Sequence, residues 1–380
     1  MVKAFQIASG PRVRFGRGEA TQVGEEAKGL GMARPMLVTD PGLASIGALD
    51  SVLKGLENSG IDHQFYDQAE ANPSDASILA AREFFNNNGC DGFIAAGGGS
   101  TMDTAKATLA IVANGGVPSD YYGRGKATKP GPPLITVPTT AGTGSEVTMS
   151  SIVTDMKLMI KTVLADDSLF AKLAVVDSAL LAKLPSHIAA GAMMDALTHA
   201  IESVGSPASN PWTEAIAFQS ITYIGKHGRA YVDDPSDPEA ADGISLAAML
   251  AGRAFTNTGL GIVHSLAHPL GAYHGLHHGT ANGIFLPPVM EFNLPVMREA
   301  YARMAPLLKE GAPHTAEAAI DAIRELNTDI GIPGSLREAD VVNEDLDVLA
   351  KDAAESHQVN TNPVPSTQED LKRLLLAVLE

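Results

Sequence analysis

The chain has 380 residues with 27 Lys+Arg against 44 Asp+Glu, and its net charge of −17 excludes the usual nucleic-acid binder, which gathers cations against phosphates. Hydrophobic residues make up 45% and charged residues 19%, too apolar for a disordered chain, and the length allows two or three domains. One cysteine, Cys90, excludes an internal disulfide; the opening MVKAFQIASG lacks a secretory core and no apolar run nears the roughly 18 residues of a membrane span, so a soluble, cytoplasmic protein is expected.

In the first half, short apolar runs end in turn residues: Pro35–Asp40, Gly92–Ala96, Leu134–Pro138 and Leu173–Asp177. Between the first two, residues 43–58 and 75–88 carry apolar side chains three and four apart, the period of amphipathic helices. Strand and helix alternating in this way predict a parallel sheet covered on both faces, with ligands at the carboxyl ends of its strands. Asp40 ends the first run, where a carboxylate either bonds a ribose 2′-hydroxyl or caps the next helix.

The run Phe93-Ile94-Ala95-Ala96 leads into Gly97-Gly98-Gly99-Ser100 and a helix starting near Thr101-Met102-Asp103. Three glycines let a phosphate approach the backbone closely, and helix N-terminal amides attract its charge. A bare GGGS also serves as a tight turn with nothing bound, and it is not the G-x-G-x-x-G fingerprint. A second polar loop, Pro138-Thr139-Thr140-Ala141-Gly142-Thr143-Gly144-Ser145-Glu146, follows the next strand. Two such loops at adjacent strand ends favour a nucleotide cradle.

From about Pro185 the chain turns rich in Ala, Leu and Met with helical spacing almost throughout, Ser186 a possible cap and Pro235 and Pro238 marking a polar loop. The expected fold is an α/β domain with a parallel dinucleotide-binding sheet, residues 1–185, followed by an all-helical domain, residues 186–380. Within GAMMDALTHAIE, Asp195 and His199 stand four apart and share a helix face. Five of the eleven histidines, His264, His268, His274, His277 and His278, crowd into GIVHSLAHPLGAYHGLHHGTANG. Pro269 is expected at or near a helix break, and Gly271, Gly275 and Gly279 allow His278 to return toward His264. One carboxylate with imidazole nitrogens suits Fe²⁺ or Zn²⁺ with a position left open for substrate.

Together, Asp40, FIAAGGGSTMDTAK (93–106), PTTAGTGSEVT (138–148), GAMMDALTHAIE (191–202) and GIVHSLAHPLGAYHGLHHGTANGIFLP (261–287) resemble the iron-containing (group III) alcohol dehydrogenase family over nearly the whole chain. The resemblance implies a dehydroquinate-synthase-like architecture, with Asp195, His199, His264 and His278 as ligands of Fe²⁺, or alternatively Zn²⁺. It implies NAD contacts at Asp40, Asn72, Gly99, Ser100, Thr139, Thr140, Thr148, Lys161 and Leu180. Gly97, Gly98, Asp103, Thr143 and Ser150, in and after the two loops, complete the cofactor candidates. His268 is expected near the nicotinamide as a proton relay, its ordinary pKa lying near neutrality. Phe255 and Leu260 match positions lining the substrate pocket, and Ile262 adds an apolar candidate.

The expected activity is interconversion of a small primary alcohol or diol and its aldehyde by an NAD-linked, metal-dependent homodimer or higher homo-oligomer. Many relatives carry a larger residue where Ser150 stands, which leaves substrate choice open. A dehydroquinate-synthase-like lyase would need several cations for a polyanionic substrate, and segment 245–290 holds only Arg253. Maleylacetate reductases resemble metal-free enzymes that would not keep this ligand set. A metal-storage protein would have no use for two phosphate loops.

Overall fold

The computed structural model describes residues 4–157, 160–341 and 345–380. The chain forms two compact units: residues 8–140 with 144–183, and residues 184–380 with the first seven residues and 141–143.

The first unit is built on a six-stranded, wholly parallel sheet. Its strands are β1 (Arg12–Phe15), β2 (Pro35–Val38), β3 (Gln64–Tyr66), β4 (Gly92–Gly97), β6 (Leu134–Pro138) and β9 (Leu173–Val176), in the order β1-β9-β6-β4-β2-β3. The four central strands are the apolar runs expected from the sequence. Each is buried along its whole length because both faces are covered, and the one polar residue among them, Thr136, turns its hydroxyl to the Glu146 carbonyl. Met36, Val38, Phe93, Ala95 and Leu134 enter one core, while Leu37, Ile94, Ala96, Ile135, Val137, Leu173 and Val175 enter the other. The edge strands β1 and β3 escape the apolar-run criterion because they are short and partly exposed.

Five helices belong to this unit: α1 (Val23–Gly29), α2 (Pro41–Ser45), α3 (Asp50–Ser59), α4 (Asp75–Asn87) and α5 (Gly99–Asn114). The stretch expected as one helix over 43–58 is split into α2 and α3, with Gly47 in a left-handed conformation (φ 65°) between them. A three-stranded sheet, β5 (Gly123–Arg124), β8 (Ile160–Ala165) and β7 (Ser150–Asp155), pairs β7 and β8 antiparallel.

The second unit holds α6 (Ser186–Gly205), α7 (Pro211–Asp233), α8 (Pro238–Thr258), α9 (Ile262–His274), α10 (His278–Leu308), α11 (Ala316–Asp329), α12 (Leu346–Glu355) and α13 (Gln368–Ala377). Helix α6 is buried almost along its length. Its small residues let backbones approach: a Cβ on Gly279 of α10 would lie 1.9 Å from the Gly191 carbonyl oxygen.

Two local expectations are corrected. Ser186 is not the cap of α6; Pro185 precedes the helix and no side chain caps it. Pro269 does not break its helix but sits inside α9, which ends at Gly275, a left-handed residue (φ 68°). Proline removes one N–H, whereas a left-handed glycine reverses the chain. Among the described residues, no helix is long and apolar enough to cross a membrane.

Candidate functional site

In the first unit, connections run outward from β2 to β3 on one side, and through β4, β6 and β9 on the other. The order therefore reverses between β2 and β4, the place where open parallel sheets bind ligands. Asp40 leaves β2 and the GGGS turn leaves β4 at this point. Asp40 caps α2 through Oδ1, which accepts from the Leu43 amide at 3.0 Å. Asn72 is exposed just before Pro73.

Helix α5 begins at Gly99, two residues earlier than expected, with Gly98 as its N-cap and no side chain capping the first amides. Gly97 is obligatory, since a Cβ there would lie 2.3 Å from Thr101 Oγ1. The amides of Gly99 and Ser100 thus open a sixteen-residue helix toward any anion placed at the turn. Thr139 follows β6 and is buried with its hydroxyl lacking a hydrogen-bond partner, while Thr140 keeps part of its surface. Uncapped amides and an orphaned hydroxyl fit a bound dinucleotide.

Lys106, fully buried on α5, donates to Ser145 O at 2.6 Å, Ser145 Oγ at 3.0 Å, Thr148 Oγ1 at 3.1 Å and Ser150 O at 3.0 Å. It thereby ties the glycine-led helix to the loop after β6. Burial lowers its pKa to about 8, against the pull of Asp103 and Glu146. Burial raises Asp103 to about 6, opposed by Lys106. Lys161, on β8, is lowered by burial with Asp103 opposing. Leu180 lies in the apolar core. Thr143 falls in the three-residue segment that clusters with the helical unit.

In the second unit, α6, α9 and the start of α10 bring four side chains together. Asp195 Oδ1 lies 3.3 Å from His199 Nε2, 3.5 Å from His264 Nε2 and 3.6 Å from His278 Nε2. Asp195, His199 and His264 are buried, and their donor atoms lie within 4.8 Å of one another. The edge of a tetrahedron with bonds of about 2.1 Å is about 3.4 Å, so the separations match the ligand spacing of a four-coordinate ion.

Protonation suits two of the three imidazoles as they stand. Burial presses His199 down to about 4 and His278 well below the usual imidazole range, leaving lone pairs at neutral pH. Burial lowers His264 too, but Glu202 and Asp195 outweigh it and hold the group at about 9, so an ion binding at Nε2 has to displace a proton there. Asp195 is raised by burial but held low on balance by the three histidines, so it stays a carboxylate.

His268, one turn after His264 on α9, stacks on His278 with ring centroids 5.2 Å apart. His274 closes α9 in an exposed position, and His277 stands at the N-cap position of α10 with its Nδ1 3.4 Å from Thr280 Oγ1; neither is among the four converging side chains. Phe255 stacks on His199 at 4.3 Å, an apolar wall with part of its surface exposed, as Leu260 also is. Ile262 is fully buried and belongs to the core, not to an accessible pocket.

Three buried residues escaped the sequence reading. Lys106 is one. Glu202 accepts from His264 Nδ1 at 2.6 Å and from the Val263 amide at 2.8 Å, and Asn282 donates to Asp195 Oδ1 at 2.8 Å. Glu202 was within reach of spacing arguments, because Asp195, His199 and Glu202 stand at i, i+4 and i+7 on α6.

Family models match both parts of the chain: "Iron-containing alcohol dehydrogenase" over residues 10–178 and "Fe-containing alcohol dehydrogenase family, C-terminal" over residues 189–379. The chain is similar to an NAD-dependent methanol dehydrogenase of Bacillus methanolicus, 35% identical over 370 residues, covering 96% of this chain and 97% of the relative. It is similar to a 1,3-propanediol dehydrogenase of Citrobacter freundii, 36% identical and covering 95% of each chain. The solved structure of a 1,3-propanediol oxidoreductase matches it with a TM-score of 0.95 at 34% identity, over 100% of both chains.

Proposed function

Since this chain belongs to the iron-containing alcohol dehydrogenase family and is an oxidoreductase acting on CH–OH groups with NAD and a metal, we propose that its substrates are short primary alcohols, diols or hydroxy-aldehydes and their carbonyl partners. The observation that carries the reading is the convergence of three imidazole Nε2 atoms on one buried carboxylate oxygen. Asp195, His199, His264 and His278 would hold the ion: ferrous iron on the family's name, zinc as the alternative for this donor set. Residues 1–185 would carry the dinucleotide and residues 186–380 the metal. A single cysteine suits a reducing cytoplasm, and a homo-oligomer is part of the same reading.

When bound, the ion supplies Lewis-acid polarisation of the substrate oxygen, and NAD carries the hydride. The chain's own residues do the rest. The open amides of Gly99 and Ser100 and the hydroxyl of Thr139 would bind the pyrophosphate, with Gly97 and Gly98 giving it room. Asp40 keeps its side chain partly accessible beside β2, where a carboxylate favours a ribose 2′-hydroxyl and repels a 2′-phosphate; this supports NAD over NADP. Phe255 covers the His199 ring and excludes water from that side. His268, which stacks on His278, would pass a proton to or from the substrate oxygen. With Phe255 and Leu260 as walls, a short alcohol loses far less hydration than an unpaired anion would.

The test pairs elemental analysis with kcat/KM for propanol, 1,2-propanediol and a matched hydroxy acid, using NADH and NADPH for the reverse reaction. One divalent ion per chain, preference for NADH and graded activity across the neutral alcohols are expected. His264→Ala should lose both ion and activity while keeping its helical content. A variant retaining stoichiometric metal overturns the ligand set, and preference for the hydroxy acid overturns the substrate class.

A further inference from the structure

Behind the four candidate ligands lies a second layer of buried polar groups. Glu202, from α6, places Oε2 at 2.6 Å from His264 Nδ1. A carboxylate only accepts, so Nδ1 carries a hydrogen, and Nε2 is the edge that faces Asp195. Glu202 is itself fixed. Its Oε1 accepts from the Val263 amide at 2.8 Å, in the first turn of α9. A Cβ on Gly261 would lie 2.8 Å from the same oxygen, so only glycine leaves room for the carboxylate.

Asn282, one turn after His278 on α10, is fully buried. Its Nδ2 stands 2.8 Å from Asp195 Oδ1 and 3.3 Å from both His264 Nε2 and His278 Nε2. The carboxylate settles the amide's orientation, because an amide oxygen in that place would face a second acceptor. Asn282 Oδ1 has no hydrogen-bond partner, so nothing else orients the group. Charge completes the pattern: Asp195 and Glu202 bring two negative charges into a buried cluster, the balance of one divalent ion.

We propose that Glu202 and Asn282 are positioning residues of the metal centre, fixing the Nε2 edge of His264 and the Oδ1 edge of Asp195 in place before the ion arrives. This rests on the metal-centre reading above. Glu202→Gln presents an amide N–H either to His264 Nδ1, which then has to give up its hydrogen and move it to Nε2, or to the Val263 amide. The first arrangement puts the ring hydrogen on the edge that faces the ion, and the second opposes two donors. Asn282→Leu keeps the side chain's size but leaves Asp195 Oδ1 without its donor.

The experiment measures the Kd of Co²⁺ and Zn²⁺ by competition with a chromophoric chelator, the visible Co²⁺ absorption, and far-UV circular dichroism. Glu202→Gln and Asn282→Leu should each bind 10–100-fold more weakly than wild type, the range found for outer partners of metal ligands, with a changed Co²⁺ band and unchanged helical content. A purely structural role would leave the Co²⁺ band of the loaded variant unchanged. If Glu202→Gln does not fold, Glu202→Asp carries the test: it keeps the charge, withdraws the carboxylate from Nδ1 and should weaken binding about tenfold. Wild-type protein that binds no Co²⁺ overturns the metal centre itself. Stoichiometric wild-type binding, with variants within twofold and the same spectrum, overturns the positioning role alone.

Discussion

At the scale of single residues, Lys106 puts an ammonium where no water reaches, and four oxygens from residues 145–150 surround it. Lys106→Met would strand those acceptors, at a cost of roughly 2–4 kcal/mol by the usual penalty for breaking a buried charged hydrogen-bond cluster. The sign of its pH dependence follows from a folded pKa of about 8 against the ordinary 10.5. Between these values the unfolded chain binds more protons, so the Lys106 contribution to stability rises with pH across that window and is flat below it. Urea unfolding of wild type and Lys106→Met at pH 7.5 and 10 reads both effects. The variant should be less stable at pH 7.5 and should lack the wild type's rise. Equal stability at pH 7.5 would show that the four contacts contribute nothing net. NADH affinity should also fall, since Lys106 joins the helix that starts at the GGGS turn to the loop after β6.

At the scale of elements, the crossing of α6 and α10 decides whether the ligands meet. Gly191 and Gly279 allow the helices to touch backbone to backbone, next to His278 and one turn from Asp195. Gly279→Ala would set a methyl 1.9 Å from the Gly191 carbonyl oxygen, so α10 has to shift. Overpacking of this kind costs about 1–3 kcal/mol, and displacement of His278 should weaken metal binding at least tenfold. Gly275→Ala is the control: its φ of 68° makes alanine cost about 1 kcal/mol, yet nothing lies within 4 Å of the new methyl. The pair separates helix approach from backbone strain. If both variants bind metal alike, the glycine crossing does not hold the site together.

For the whole molecule, a buried site with two carboxylates makes the ion a structural partner of the helical unit as well as a reagent. An ion present at a thousand times its Kd adds about 4 kcal/mol to the folded state. Stripping it should lower the Tm by several degrees, and readdition of Fe²⁺ or Zn²⁺ should restore it. Scanning calorimetry with and without a chelator checks this, and no shift would mean that the ion makes no contribution to folding. His264→Ala should be insensitive to the chelator, having no ion to lose.

The four central strands, helices α4 and α5 and the helical character of the second half were legible in the sequence, because each announces itself through local pattern. Continuous apolar runs such as Phe93–Ala96 require a strand buried on both faces, and Asp195 and His199 require only one helix to share a side. The edges β1 and β3, the β7–β8 pair and the fate of Pro269 were not legible, because their conformation depends on neighbours: a strand already paired, or a helix whose packing tolerates a missing N–H. Tertiary structure alone assigned Glu202 to His264, Asn282 to Asp195 and Lys106 to Ser145, pairs separated by 62, 87 and 39 residues. An acid, an amide or a lysine in an amphipathic pattern looks like surface. Only the fold, by burying it, obliges it to find a partner, and the hydrogen bond it then makes is not written in its own neighbourhood.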